Sequence, residues 1–83
     1  MFYVAIKNVK TQRWEYAHQD ARNLPYFDGN FADALEFWKV DEAINWFGRH
    51  RDRLNGNTDT SKYEMDSVCV QKVSHSPRQT LRW

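Results

Sequence analysis

Hydrophobic and polar residues alternate in two segments near the N-terminus of this chain. Residues 2–7 and 13–17 both repeat with a period of two, and the second segment places Trp14 and Tyr16 on one side. This period is typical of strands with one face on a core. Residues 8–12, which separate the two segments, are polar and turn-prone. The pattern therefore predicts a β-hairpin.

The alternation ends in residues 18–30. Pro25 and Gly29 interrupt regular structure there, so the sequence predicts a loop. The loop contains two adjacent rings, Tyr26 and Phe27. We expect these rings either to fold back onto the core or to face a partner.

The stretch before the main helix fits two patterns. Apolar residues in 31–40 recur at helical spacing, whereas residues 35–39 also alternate like a strand. A helix that begins afresh at Asp41, with Glu42 in its first turn, favours the strand for the preceding segment.

The clearest periodicity extends from Asp41 to Leu54 and predicts an α-helix. Gly56 is expected to end it in the left-handed conformation that glycine permits. The predicted buried stripe consists of Ala43, Phe47, His50 and Leu54, with Ile44 on one flank and Trp46 on the other.

A last strand is predicted over residues 65–74. Val68 and Val70 face one way and Cys69 and Val73 the other, so both faces are expected to be partly covered, as in a central strand. In this setting Cys69 is expected to be a buried, unreactive thiol.

These elements predict one α+β domain over residues 1–76. Its antiparallel sheet has three to five strands, and the helix at about 41–54 packs on one face. Residues 77–83 form a short basic tail, for which an edge strand and disorder both remain open.

The composition changes this picture, because the chain has more aromatic side chains than a small core can bury. Thirteen of the 83 residues are aromatic, and four of them are Trp. A chain of this length buries only about 60% of the surface that its unfolded form exposes. We therefore expect some rings to face a partner, since exposed aromatic side chains often anchor interfaces.

The net charge and the cysteine content argue against some classes of function. The net charge is only +1, which gives no strong field for attracting nucleic acid. The single cysteine cannot form an intrachain disulfide, and no window is long and apolar enough for a membrane span. The sequence predicts a cytoplasmic protein without a membrane partner.

The candidates for catalysis are few. Histidines 18, 50 and 75 and Cys69 have neither zinc-site spacing nor a recognised nucleophile motif, and no glycine-rich phosphate loop is present. His18 is expected to be an exposed loop residue and His50 a packed residue with one bonded nitrogen. We predict a non-catalytic protein without a metal or cofactor.

Binding residues are instead predicted on the helix and in the loop. Trp46, Arg49 and Arg53 recur at i, i+3 and i+7, and two like charges four residues apart are unfavourable unless an external carboxylate or anion meets them. Tyr26 and Phe27 complete the predicted partner-binding set. A core-edge position for Trp46, with the arginines extending over it into water, remains an equal alternative.

The partner class also has alternatives. A protein is favoured, and a homodimer is also open. A nucleic-acid-binding module is the alternative function, in which arginines contact phosphates and a C-terminal ring stacks on bases. The residues for that alternative are Arg49, Arg51, Arg53, Arg78, Arg82 and Trp83.

Residues 37–47, Phe-Trp-Lys-Val-Asp-Glu-Ala-Ile-Asn-Trp-Phe, join a strand to a capped helix with Glu-Ala early in the helix. This pattern resembles small phage-encoded accessory proteins of the sheet-plus-helix type. The resemblance implies a host-takeover or anti-defence role in the host cytoplasm, in which a small protein occupies a surface of a bacterial enzyme or nuclease complex. It carries over no functional residue.

Overall fold

The computed structural model of this chain describes residues 1–58 and 61–73. It contains one four-stranded antiparallel sheet and one long helix, which confirms the predicted α+β class. The strands are β1 (Phe2–Asn8), β2 (Arg13–Gln19), β3 (Pro25–Asp28) and β4 (Tyr63–Lys72), in the spatial order β3-β2-β1-β4. The predicted hairpin is formed by β1 and β2.

The buried side chain of Asn8 organises the turn of this hairpin. Its Oδ1 accepts hydrogen bonds from the backbone N–H groups of Lys10 (2.9 Å) and Thr11 (3.1 Å). Its Nδ2 donates to the carboxylate of Glu15 at 2.8 Å. Gln12 has a φ of 62°, a left-handed conformation that few non-glycine residues adopt.

The prediction that residues 18–30 are only a loop is wrong, because β3 lies within them and pairs with β2. A tight turn makes this pairing possible. The Asp20 carboxylate accepts from the backbone N–H groups of Arg22 (2.8 Å) and Leu24 (3.0 Å). Pro25 is tolerated as the first residue of β3 because edge strands can do without one backbone donor.

The strand predicted before the helix is also wrong. The chain forms a short 3-10 helix, Phe31–Asp33, and then passes between the diverging ends of β1 and β2. Phe2 and Phe37 exchange two backbone hydrogen bonds of 2.8 and 2.9 Å. Leu35 donates to the carbonyl of Ala17 at 2.9 Å. Because the hydrogen bonds of this segment are divided between β1 and β2, the segment forms one isolated bridge and not a new strand.

The main helix α1 extends over Val40–Asn57, so it begins before the predicted Asp41. Its start is fixed by Glu42, whose carboxylate accepts from the backbone N–H groups of Trp38 (3.1 Å) and Lys39 (3.2 Å). This arrangement satisfies donors just before the first turn, which is the usual role of an acidic residue at this position.

The C-terminal end of α1 also differs from the prediction. Gly56 is helical, and none of the three glycines, all of which lie within the described residues, has a positive φ. The helix continues through Asn57, and Thr58 follows in an extended conformation. The Thr58 hydroxyl donates to the carbonyl of Leu54, which satisfies one acceptor of the last turn.

Helix α1 packs on one face of the sheet, as predicted. The buried cluster there consists of Val4, Ala17, Ala43, Trp46 and Leu54. The opposite face of the sheet carries an aromatic cluster. Phe31 lies 4.6 Å from Tyr3 and 4.9 Å from Tyr16 between ring centroids. The 3-10 helix thus covers the second face of β1 and β2.

Strand β4 is an edge strand, which corrects the prediction of a central position. Cys69 is exposed, so the prediction of a buried thiol is wrong as well. The physical reason is the strand order: within the described residues β4 has β1 on one side and no strand on the other. The predicted tail, residues 77–83, lies outside the described residues.

Candidate docking surface

Three large apolar side chains are exposed together at the start of α1. Trp38 is 79% exposed, Ile44 53% and Val40 41%. Val40 and Ile44 are one helical turn apart and therefore share a face, and Trp38 precedes the first turn. We call these three residues the apolar flank. The hydrogen bonds that the Glu42 carboxylate accepts from Trp38 and Lys39 fix the backbone of the apolar flank.

An apolar groove adjoins this flank between α1 and β4. Its volume is about 300 Å³. The residues that line it are Val4, Ile44, Phe47, Val68, Cys69 and Val70. Ile44 belongs to both the flank and the groove, so the two form one continuous apolar surface. A concave apolar surface of this kind has the shape and chemistry to receive an apolar group of another molecule.

Trp46 does not belong to this surface, because it is only 5% exposed. Its ring lies 4.6 Å from His50 in a stacked arrangement and 6.0 Å from Phe37. Among the described residues, its buried Nε1 has no hydrogen-bond acceptor. Of the two positions that the sequence left open for Trp46, the structure has the core position.

Arg49 and Arg53 are exposed, and neither forms an ion pair with a described residue. At 100° per residue, Arg49 lies about 140° around the helix axis from Ile44. The two arginines therefore form a separate surface on the far side of α1. Arg51 is also exposed and lies within about 20° of Ile44 around the axis, two helical turns or about 10 Å further along α1.

The two predicted loop rings point to opposite faces of the sheet. Phe27 packs against the helix-side core, with its ring 5.9 Å from that of Tyr63. Tyr26 is 39% exposed and stacks on His18 at 5.2 Å on the other face. The structure thus does not bring Tyr26 together with Arg49 on one surface.

His18 is a structural residue rather than the exposed loop histidine that was predicted. It lies in β2 and is 2% exposed. Nδ1 lies 2.7 Å from the carbonyl oxygen of Tyr16, and Nε2 lies 2.8 Å from that of Asn30. The contact of Nε2 with Asn30 ties the 28–31 turn to β2, whereas Nδ1 lies against the backbone of β2 itself, so neither nitrogen is free for a substrate.

The phenol groups on the sheet face opposite α1 hold their protons firmly. Burial, followed by the nearby carboxylate of Glu36, raises the pKa of Tyr3 to about 12. Burial and the neighbouring Cys69 also raise the pKa of Tyr16. Neither phenol is suited to proton transfer near neutral pH, because general acids and bases work best near the ambient pH.

Three further observations bear on the site. Among the described residues, no group of three or more His, Cys, Asp or Glu side chains is arranged to hold a metal ion. No helix in the same part of the chain has the length and apolar character needed to cross a bilayer. Residues 78, 82 and 83, predicted for nucleic-acid binding, lie outside the described residues.

The apolar flank was missed in the sequence, although a signal for it exists. Val40 and Ile44 are four residues apart, and Ile44 lies on the flank of the predicted buried stripe. Such a pair on a helix flank indicates either a wider core contact or an exposed apolar surface.

Comparisons with protein-family models, with curated proteins and with solved structures find no significant match for this chain.

Proposed function

We propose that this chain is a non-catalytic protein-binding domain that inhibits or modulates a macromolecular partner by occupying one of its surfaces. The observation that supports this most directly is the exposure of Trp38, 79%, beside two other apolar side chains. Large aromatic side chains that become desolvated on binding contribute most of the energy of many interfaces.

The shape of the surface also supports a protein partner. Trp38 protrudes, whereas the groove beside Ile44 is concave. A partner that receives the indole ring and inserts an apolar side chain into the groove would remove both surfaces from water. Arg51 lies two turns beyond Ile44 on the same side of α1, where a charged residue remains partly solvated and favours an acidic partner.

The resemblance of residues 37–47 to phage accessory proteins suggests where to look for the partner. We infer a bacterial enzyme or defence complex in the host cytoplasm as the first class to test. Arg49 and Arg53 belong to this proposal as a second contact surface, which an acidic patch of the partner would complement.

The experiment is affinity capture from a bacterial lysate, followed by measurement of binding with the purified partner. The test variant is Trp38→Ser combined with Ile44→Ser. The matched control is Trp14→Ser, since Trp14 is 38% exposed but lies in the hairpin. Loss of two central apolar contacts is expected to weaken binding at least about tenfold, while the control binds like the wild type.

The remaining outcomes separate the alternatives. Equal binding by the Trp38/Ile44 variant and the wild type would refute the apolar flank as the docking surface. Arg49→Glu combined with Arg53→Glu tests the second surface in the same assay. Capture of nucleic acid that weakens steeply as salt rises would replace the proposed function by phosphate binding.

A further inference from the structure

The outer edge of β4 has backbone groups that point away from the sheet. Phe2 directs both of its backbone hydrogen bonds to Phe37, on the side of β1 away from β4. The next pair, Met1 and Val73, does form backbone hydrogen bonds, just beyond the ends of β1 and β4. Because bonding alternates along an antiparallel pair, Lys72, opposite Phe2, has its N–H and C=O directed outward. Val70, two residues away, has the same orientation.

The charges along β4 are arranged with opposite signs at its two ends. Glu64 and Asp66 lie towards its start and Lys72 at its end, and all three are exposed. None of them forms an ion pair within the described part of the chain. An antiparallel copy of the same strand would place acidic residues opposite Lys72, whereas a parallel copy would place like charges together. The strand is therefore complementary to itself in the antiparallel direction.

We propose that a second copy of this chain pairs with β4 in the antiparallel direction, across a twofold axis at Cys69. In this register Val68 lies opposite the partner's Val70, and Asp66 lies opposite the partner's Lys72. The two sheets join into one of eight strands, with both α1 helices on the same face. An isologous interface of this kind uses the same residues on both copies, as twofold symmetry requires.

The structure also limits the strength of this pairing. The β1–β4 register shifts between Ala5 and Lys7, so residues 65–68 pair irregularly with β1, although β4 continues as a strand over Tyr63–Lys72. Bulges of this kind shorten and twist an edge. An interface of one short strand buries less than about 1,200 Å², which is typical of weak association. We therefore expect the dimer to form at high protein concentration.

The first test measures the mass of the full chain by analytical ultracentrifugation over a concentration series up to about 1 mM, where a weak dimer becomes populated. The wild type is expected to shift from monomer towards dimer. Lys72→Asp should raise the dissociation constant about tenfold, since both symmetric charge pairs become repulsive. Asp66→Lys combined with Lys72→Asp should restore dimerisation, because each position then again faces a residue of opposite charge on the partner.

The second test uses the cysteine at the proposed axis. Directly opposed residues in a non-hydrogen-bonded antiparallel pair have Cα atoms about 4.5 Å apart, within the range of a disulfide. Oxidised glutathione should therefore link two wild-type chains through Cys69. The control carries Cys69→Ser and Gln71→Cys, which keeps one thiol on β4 but moves it two residues from the axis, and it should link much more slowly.

Two results would overturn the proposal. One is a monomer at every concentration, which would leave the edge to another occupant, such as residues 74–83 or a foreign strand. The other is equal cross-linking of the two cysteine variants, which would indicate random collision. The proposal does not rest on the proposed function, because both tests use the chain alone and leave Trp38 and Ile44 unchanged.

Discussion

Trp38 and Trp46 provide a comparison of two tryptophans that differ mainly in burial. Trp46 is 5% exposed and Trp38 79% exposed. A tryptophan side chain has roughly 200 Å² of surface, which at about 25 cal/mol per Å² corresponds to about 5 kcal/mol when fully buried. On this scale Trp46→Ala should lower the free energy of unfolding by about 3–5 kcal/mol. Trp38→Ala should lower it by about 1 kcal/mol or less.

The consequence for the whole domain is large. A chain of 83 residues has a free energy of unfolding of roughly 4–12 kcal/mol. Trp46→Ala is therefore expected to leave the domain marginally stable or unfolded. Urea denaturation followed by circular dichroism measures both variants on the same scale. Trp46→Phe is the informative intermediate, because it keeps an aromatic ring and removes the buried N–H that lacks an acceptor among the described residues.

A specific result would refute this reasoning. If Trp46→Ala were as stable as the wild type, the indole could not lie in the core, and its position on α1 beside Arg49 would again be available for binding. If Trp38→Ala were the more destabilising change, the apolar flank would be a packed part of the fold and could not serve as a docking surface.

Three further predictions test other parts of the structure. Gly56→Ala and Gly48→Ala should each raise the free energy of unfolding by about 0.5–1 kcal/mol, since both glycines are helical with open space around them; thermal denaturation would show a loss at Gly56 if its conformation were left-handed. In the wild type, the free energy of unfolding should fall between about pH 10 and 12, because the unfolded chain releases the Tyr3 proton near 10 while the folded chain holds it to about 12. Tyr3→Phe should reduce that decline in urea denaturation at alkaline pH, whereas an unchanged decline would exclude the titration of Tyr3 as its cause. Asn8→Ala should lower the free energy of unfolding by about 1–3 kcal/mol, because the donors of the hairpin turn lose their buried acceptor, and an unaltered melting temperature would show that the turn does not depend on it.

The elements that the sequence predicted well are those whose periodicity is long. Residues 2–8 and 13–19 alternate over enough positions to define strands, and α1 has several turns of helical repeat. Strand β3 was missed because its four residues begin with Pro25 and lie among turn-forming residues. Its strand conformation depends on pairing with β2, which is a tertiary interaction and has no local pattern.

The segment before α1 shows the same limit in another form. Residues 35–39 alternate like a strand, but the hydrogen bonds of this segment are divided between Phe2 and Ala17. Strand formation requires one partner along several residues. Local sequence predicts a strand-like segment here, whereas the separation of β1 and β2 determines that it makes a single bridge.

The candidate site could not be derived from the helix alone, because Ile44 and Trp46 lie almost symmetrically on either side of the predicted buried stripe. Which of the two is buried depends on where the sheet lies beneath α1. The helix contacts β1 and β3 more extensively than β4. The side that carries Trp46 is therefore covered, and the side that carries Ile44 is not.

This displacement of α1 gives a common cause for the two surfaces on which binding is proposed. Within residues 1–58 and 61–73, the sheet has two strands on one side of β1 and only β4 on the other. A helix that lies towards the wider side leaves the side chains of Val68 and Val70 with a groove above them and leaves Ile44 exposed. The same asymmetry makes β4 the outer strand on that side. The sheet thus ends at β4 before it covers the whole inner side of α1. The apolar flank and the outer edge of β4 both lie at this end of the sheet, so they are adjacent.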